Sequence, residues 1–330
     1  SRGLGDVYKR QACTLGWDFN SSGATTVTTA VLKEVSKFED FGFAVCGGKG
    51  KISRKTPEEI QKYGENFNLS TKKIEELIYA SRMSAKVDTA AIQDGYTLYH
   101  HAFFFTEKGK YAIVQQGMSV QDQTARRYHW LSECIKSFID EPHSAIACDV
   151  KKREVLDMTS KKSEDARNVC VDLVREGIRR IRNDLHSLGS IYQKNLAEFL
   201  PLENRKKLIV LALPKNVNWK VVEEAYQLQP ENYEDLLSIK GMGAATVRSL
   251  ALISEIIYGK PASWEDPKKF SFCLGGKDGV PYRINRAHYD EVIETLREFV
   301  KKAEIGKKDE LEALKRLSSF QSAFENEKKF

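Results

Sequence analysis

The stretch Leu237-Ser-Ile-Lys-Gly-Met-Gly-Ala-Ala-Thr-Val-Arg-Ser-Leu250 decides how the second half of this chain folds. Its two glycines, Gly241 and Gly243, lie where a backbone turns sharply or closely approaches a partner. Apolar residues then recur at helical spacing from Ala244 to Tyr258, as on one face of a helix. The stretch therefore predicts a short helix, a tight glycine turn and a second, longer helix.

This pattern resembles the helix-hairpin-helix motif of many DNA repair proteins, here at about residues 233–258. Free backbone amides at the start of the second helix, together with the helix dipole, favour an anion at that position. We expect a nucleic-acid phosphate to bind there, contacted by Lys240, Gly241, Gly243, Thr246 and Arg248. A helical hairpin without a ligand would show the same pattern.

The chain of 330 residues carries a formal charge of +6, and 41% of its residues are hydrophobic. The segment 1–11 begins without Met and resembles translated adapter sequence, so we set it apart from the fold. Its charged residues contribute +2, which leaves +4 on the remainder. Because this excess is small, nucleic-acid binding would depend on local basic patches.

Two composition regimes indicate two domains. Residues 12–160 mix strand and helix signals, which predicts a mixed α/β domain with the candidate active site. Residues 161–330 are dominated by helical periodicity, which predicts a mainly α-helical domain containing the hairpin motif. No apolar run is long enough to cross a membrane, so we expect no membrane partner. The six cysteines lack C-x-x-C spacing, so we expect a cytoplasmic protein with reduced thiols.

Local patterns predict individual elements within these domains. Thr56 and Glu59 have the spacing of a capping box at the start of a helix. Ser119 and Asp122 have the same spacing and predict a helix that runs to about Phe138. The other predicted elements include helices over 27–38, 70–82, 286–302 and 307–326, strands over 41–46, 97–106, 110–116 and 143–149, and a loop over 46–55.

The predicted loop is rich in glycines and cations and holds no acid. Backbone amides in a glycine loop after a strand can approach a phosphate, which the cations then neutralise. The spacing does not match a P-loop. We expect phosphate or nucleic-acid contacts from Gly47, Gly48, Lys49, Lys51, Arg54 and Lys55. A solvated basic loop is the alternative.

Polar residues are dense just before the apolar strand that begins near Thr97. Two carboxylates there, Asp88 and Asp94, would bind Mg²⁺ or Mn²⁺ and orient a water for phosphodiester attack. Lys86 would stabilise the developing charge. The predicted catalytic residues are Lys86, Asp88, Asp94, Gln115 and Gln116, and Asp88 and Asp94 are the predicted metal ligands. The alternative is that both aspartates cap turns and Lys86 is solvated.

Two further stretches have the composition of nucleic-acid contacts. Arg126 and Arg127 precede Tyr-His-Trp, and such mixtures of cations and aromatic residues are typical of nucleic-acid surfaces. A buried helix face with two outward arginines would explain them equally well. A second glycine-rich loop over 270–279, with Lys277, would help to grip a backbone or would form a simple turn.

Several unusual motifs occur in order along the chain. They are Gly16-Trp-Asp-Phe-Asn-Ser-Ser-Gly23, Cys46-Gly-Gly-Lys-Gly-Lys51, Ala85-Lys-Val-Asp88, Val114-Gln-Gln-Gly-Met118, Ala125-Arg-Arg-Tyr-His-Trp-Leu131 and the 270–279 loop. As a set they resemble the DUF763 family of bacteria and archaea, over about residues 12–320. Family members carry an additional N-terminal segment, so we expect this chain to be a fragment. The resemblance implies a shared fold and favours a site at the predicted catalytic residues.

The first functional prediction is a nucleic-acid-processing enzyme, a metal-dependent nuclease that acts on DNA in repair. A non-catalytic DNA- or RNA-binding module would use the same basic loops without needing Asp88 or Asp94. A base-excision glycosylase would need Asp266 as its catalytic carboxylate. An enzyme that acts on a phosphorylated small molecule would use the glycine loop alone.

Overall fold

The computed structural model describes residues 23–36, 42–122, 124–148, 151–193, 214, 216–269 and 294. Within them the protein is a mixed α/β structure with eight α-helices and a five-stranded antiparallel sheet. Helix α1, Gly23–Val35, belongs to a separate compact unit from Phe43–Phe272 and is described by itself. In α1 the Thr29 hydroxyl donates to the Thr25 carbonyl one turn earlier, at 2.8 Å.

The remaining elements lie in the unit Phe43–Phe272. The strands are β1 (Phe43–Lys49), β2 (Ile92–Gln93), β3 (Thr97–Thr106), β4 (Tyr111–Ser119), β5 (Thr124–Leu131), β6 (Ala145–Ala147) and β7 (Leu156–Asp157). The helices are α2 (Thr56–Asn66), α3 (Thr71–Lys86), α4 (Glu164–Glu176), α5 (Ile178–Gln193), α6 (Trp219–Leu228), α7 (Tyr233–Ser238) and α8 (Ala244–Ile256). A π-helical turn, Val87–Ala91, continues α3.

The sheet has the strand order β1-β3-β4-β5-β6, and β2 pairs separately with β7. Successive strand residues point to opposite faces. One face, which we call the helix-side face, contributes Phe103, Ile113 and Trp130 to a core shared with Ile60 of α2 and Leu77 of α3. The opposite face, which we call the far face, carries the alternate residues of the same strands. The sheet therefore positions two separate sets of side chains.

The segment after β4 corrects one prediction. Instead of the helix predicted from Ser119 to about Phe138, the chain makes a turn and returns as β5. Ser119 and Asp122 do bond to each other, but they close this turn rather than cap a helix. Alternation along β5 places Arg126 and Trp130 on the helix-side face, where both are buried. Buried polar partners on that face explain why this segment forms a strand and not the predicted helix. No local sequence pattern reveals these partners.

The glycine-rich segment 46–55 is also more ordered than predicted. Gly47 and Gly48 continue β1, and Gly50–Lys55 form a 3₁₀ helix. Gly47 has φ of +85°, and an added Cβ would lie 2.3 Å from the His101 carbonyl oxygen. The predicted capping box does not form, because Glu59 accepts a hydrogen bond from the Gly47 N–H at 2.7 Å instead. The positive φ and the close approach to His101 together require glycine at position 47.

The helical part largely follows the sequence pattern. Ser70 caps α3 as predicted, accepting from the Lys73 N–H. Between α7 and α8, Gly241 has φ of +90°, whereas Gly243 is extended at −114°.

The helices predicted over 286–302 and 307–326 lie outside the described residues. The boundary predicted near residue 160 stays a prediction. No helix in the described ranges has both the length and the apolar character needed to span a membrane.

Two far-face histidines predict a pH dependence of stability. Burial, with smaller effects from neighbouring histidines and cations, lowers the pKa of His100 and of His129 from 6.5 to about 4. Below pH 6.5 the unfolded chain therefore takes up protons that the folded chain does not. We expect the free energy of unfolding to fall as the pH drops from about 6.5 to about 4, by up to about 3 kcal/mol for each histidine.

Urea denaturation across this pH range measures the effect. His129→Asn should flatten the pH dependence, whereas His186→Asn, on the exposed surface of α5, should leave it unchanged. The same pH dependence in His129→Asn as in the wild type would contradict the prediction.

Candidate functional site

Asp88, the first predicted metal ligand, lies in the π-helical turn and is fully buried against the sheet. Its Oδ2 accepts from Gln115 Nε2 at 2.5 Å and from Trp130 Nε1 at 3.1 Å. Its Oδ1 lies 2.5 Å from His143 Nε2. Burial raises the pKa of Asp88, and His143 opposes the rise. Three neighbouring side chains thus already surround both carboxylate oxygens.

A chain of hydrogen bonds continues from Asp88 through the sheet. Because Gln115 Nε2 faces the carboxylate, its Oε1 must accept from His101 Nδ1, 2.9 Å away. Burial lowers the pKa of His101, so the ring is neutral and its Nε2 accepts from the Ser81 hydroxyl at 2.9 Å. A hydroxyl bonded to a base can serve as a nucleophile, but Ser81 is a buried residue of α3. We therefore interpret these hydrogen bonds as structural, because they hold the π-helical turn and α3 against the sheet.

Asp94, the second predicted metal ligand, belongs to a different cluster. Its Oδ2 accepts from Arg126 Nη1 at 2.9 Å and from the Tyr128 hydroxyl at 2.6 Å. Its Oδ1 accepts from the Tyr96 N–H at 3.0 Å. Arg126 also bonds both oxygens of Asp266, at 3.0 and 2.7 Å. One buried guanidinium therefore joins two buried carboxylates.

These contacts do not fit a divalent cation at Asp88 and Asp94. Mg²⁺ needs several oxygen ligands at short distance and usually keeps bound waters. Here both carboxylates are buried, and hydrogen-bond donors occupy all four of their oxygens. In the described part of the chain, no three His, Cys, Asp or Glu side chains group as metal ligands. The geometry assigns both aspartates to structural networks.

Lys86, the predicted charge stabiliser, points to the α7–α8 turn instead of toward Asp88. Its Nζ donates to the Ile239 carbonyl at 2.8 Å and to the Met242 carbonyl at 2.7 Å. Gln93 adds a second tether, because its Nε2 donates to the Ala244 carbonyl at 2.9 Å. Burial lowers the pKa of Lys86. Lys86 at the end of α3 and Gln93 of β2 therefore hold the α7–α8 turn against these two elements.

The start of α8 borders an open cavity of about 390 Å³. Gly243 occupies the N-cap position, and no side chain caps the helix there. The cavity is lined by Ala244 and Ala245 at the start of α8, by Arg248 one turn later and by the segment from Gln93 to Thr97. The Arg248 Nε has no hydrogen-bond partner among the described residues. An uncapped helix start and a guanidinium thus meet at one cavity.

Of the other predicted contacts of the hairpin, one is an exposed cation and two have packing roles. Lys240 is exposed beside the turn. Thr246 is buried, and its Oγ1 accepts from the Asn218 N–H at 3.4 Å, so it serves the packing of α6. An added Cβ on Gly241 would lie 2.7 Å from Val221 Cγ2, which explains this glycine by packing as well as by its φ.

The predicted contacts around the 3₁₀ helix and β5 are dispersed. Lys51, Arg54 and Lys55 are exposed on the 3₁₀ helix. Arg126 is buried on the helix-side face, and neighbouring Arg127 lies on the far face. The two predicted glutamines separate in the same way, Gln115 on the helix-side face and Gln116 on the far face. Lys277 lies outside the described residues.

Sequence reasoning missed several members of the buried networks. His143 and Trp130 complete the shell of Asp88, and Tyr128 contacts Asp94. Polar residues at alternate positions of β5 were the available signal, since Arg126, Tyr128 and Trp130 share one face. Nothing in the local sequence marks His143, which reaches Asp88 from 55 positions along the chain.

The cluster around Arg126 predicts a large loss of stability when its charge is removed. In Arg126→Met, Asp94 and Asp266 would remain buried without their cation, which costs about 3–5 kcal/mol for a broken buried ion pair. Lys162→Met removes one member of an exposed pair with Glu265 and should cost far less, because water screens such a pair. Urea denaturation of both variants checks the difference. Equal effects would show that the buried cluster contributes no more than a surface pair.

A protein family model matches most of the chain. Residues 7–284 match the model of a family described as a protein of unknown function, DUF763. The match begins within the segment 1–11 and covers the sheet and the helices through α8. No curated protein and no solved structure matches the chain. Because the family model covers well over half of the 330 residues, the chain belongs to the DUF763 family.

Proposed function

We propose that this protein binds the phosphodiester backbone of nucleic acid, above all DNA, at the turn between α7 and α8. The observation that carries the proposal is the uncapped start of α8 beside an open cavity. Backbone amides at a helix start point outward, and the helix dipole adds partial positive charge. A phosphate oxygen is a suitable acceptor for such amides.

Two cations support the same interpretation. Lys240 is exposed at the turn, and Arg248 lines the cavity one helical turn after Ala244. Burial lowers the pKa of Arg248, but an arginine in a protein stays charged. The only acid lining this cavity in the described residues is Asp94, and its Oδ2 is already paired with Arg126. An incoming phosphate would therefore meet positive charge.

The rigidity of the turn also supports the proposal. A binding site gains affinity when its donors are held in place before the ligand arrives. Lys86 and Gln93 bond to carbonyls of the turn and of the first residue of α8. The order of α7, glycine turn and α8 is that of a helix-hairpin-helix, the finer feature that we propose for this region.

The alternatives find less support in the described residues. Cleavage at Asp88 and Asp94 with Mg²⁺ or Mn²⁺ is not part of the proposal, because their oxygens already accept hydrogen bonds. A glycosylase role for Asp266 would need a free carboxylate, but Arg126 binds both of its oxygens. Phosphate binding at Gly47 would compete with Glu59, which already accepts from the Gly47 N–H.

Fluorescence anisotropy with labelled single-stranded DNA, duplex DNA and RNA tests the proposal. Lys240→Gln and Arg248→Gln should each weaken binding by about five- to tenfold and lower the salt dependence by about one phosphate contact. Lys220→Gln is the matched control, because it removes an exposed charge from α6 and not from the α7–α8 turn.

Three results would count against the proposal. They are no salt-sensitive binding by the wild type, an unchanged affinity in both turn variants, or equal weakening by Lys220→Gln. Parallel incubations with Mg²⁺, Mn²⁺ or EDTA score cleavage separately, so that binding and catalysis are not confused.

A further inference from the structure

Helix α5 carries arginines at positions 179, 180 and 182, close to its start. Arg180 is neutralised, because it lies 3.8 Å from a carboxylate oxygen of Glu176 and 3.5 Å from one of Asp184. Arg179 and Arg182 are exposed, and neither forms an ion pair within the described residues. Since they are three positions apart, they project from the same side of the helix. Two charges without a carboxylate therefore lie side by side on this surface.

Helix stability does not account for these two cations. The start of an α-helix carries partial positive charge, so a cation near it is slightly destabilising. The first turn of α5 contains no acidic residue that would compensate. Arg175 differs, because it lies in the last turn of α4, where the helix dipole favours a cation. The positions of Arg179 and Arg182 are thus better explained by an anionic partner than by the fold.

Trp219 holds Arg182 in place without using its hydrogen-bond donors. The guanidinium carbon lies over the half-buried Trp219 ring, 4.9 Å from its centre. A stacked guanidinium uses its flat face, whereas its N–H groups lie in the plane and remain available. None of these N–H groups bonds to a residue that the structure describes. Arg182 therefore presents a positioned fork of donors, the group that binds two phosphate oxygens at once.

Asn218 connects this arginine to the α7–α8 turn. It is the N-cap of α6, directly before Trp219, and its Oδ1 accepts from the Val221 N–H at 3.4 Å. Its Nδ2 lies beside the turn, 3.6 Å from the position of an added Cβ on Gly241. This exposed amide donates to no group in the described ranges. Donors from the turn, from Asn218 and from Arg182 therefore follow one another across the surface.

The acids of α6 leave these donors open. Glu223 and Glu224 are exposed, and neither forms an ion pair with any part of the chain that the structure describes. They follow Lys220 by three and four positions, the spacing at which opposite charges balance each other on a helix. Lys220 is therefore compensated on its own helix, and we do not include it in this surface.

We propose that Arg179, Arg182 and Asn218, which we call the arginine surface, continue the phosphate site of the α7–α8 turn along a nucleic-acid backbone. The inference rests on the proposed function and specifies its ligand as a polynucleotide strand rather than a small phosphate ester. A strand repeats its negative charge every few Å, so successive phosphates can meet the turn, Asn218 and the two arginines. A single phosphate would neutralise only one of these groups.

Fluorescence anisotropy with a labelled DNA strand of about 16 nucleotides, the upper range of single-strand sites, tests the arginine surface. Arg179→Gln and Arg182→Gln should each weaken binding about three- to fivefold and lower the salt dependence by about one phosphate contact. Deoxythymidine 5′-monophosphate should displace the strand only at a concentration of phosphate groups at least about 100-fold higher, because it cannot contact several donors at once. Displacement at equal concentrations of phosphate groups would overturn the proposal.

Two further variants separate binding from folding. Lys62→Gln is the matched control, because it removes an exposed charge from α2, which packs against α3 and β1. It should change the affinity by less than about twofold. Arg182→Lys keeps the charge but loses the planar fork, so it should weaken binding less than Arg182→Gln. Thermal melting of Arg179→Gln should match the wild type, since Arg179 has no bonded partner among the described residues.

The two proposals fail separately. If Lys240→Gln and Arg248→Gln weaken binding but both arginine variants bind as the wild type does, the turn stands and the arginine surface is wrong. The reverse result would retain the arginine surface and reject the turn. Equal weakening by Lys62→Gln, or no binding of nucleic acid at all, would overturn the arginine surface.

Vesicles of phosphatidylserine and phosphatidylcholine distinguish nucleic acid from an anionic membrane as the partner. The arginine surface predicts that Arg179→Gln and Arg182→Gln lose affinity for the DNA strand and leave vesicle binding, measured by co-sedimentation, as in the wild type. Loss of vesicle binding in both variants, with unchanged DNA binding, would identify a membrane surface and overturn the proposal.

Discussion

The contact between Arg126 and the carboxylates of Asp94 and Asp266 is the constraint on which the rest of the structure depends. A guanidinium with 0% exposure must be paired, since an isolated buried charge is very costly. Its two partners come from distant parts of the chain, Asp94 just before β3 and Asp266 after α8. The pairing therefore holds the sheet and the segment beyond the helices in one compact unit, Phe43–Phe272.

The same constraint explains what the sequence could and could not predict. The capped start of α3, the β3–β4 hairpin and the order of α7 and α8 follow from local patterns, because capping, alternation and glycine turns act between near neighbours. The β5 strand was not predicted from local patterns, because Arg126 and Tyr128 are stable there only through partners distant in sequence. A local pattern of cations and aromatic residues fits a helix surface as well as a two-faced strand.

The candidate sites show the same limit in their chemistry. The sequence analysis predicted catalytic roles for polar residues between Lys86 and Gln116, but residue type and spacing did not show which atoms they contact. Lys86 bonds to carbonyls of the turn, and Asp88 bonds to His143 and Trp130. Residue type and spacing are shared by a metal site and a buried hydrogen-bond network. Only the number of donors around each carboxylate separates these alternatives.

The bond between Arg126 and Asp266 also bears on how the chain is made. These residues are 140 positions apart, so the loop that the bond closes includes β6 and all the helices from α4 to α8. During synthesis, β5 leaves the ribosome long before Asp266 does, and Arg126 must wait without its bidentate partner. Non-local contacts of this kind slow folding and leave partly assembled sheets open to aggregation. The nascent chain would therefore stay exposed to misfolding until residue 266 has emerged.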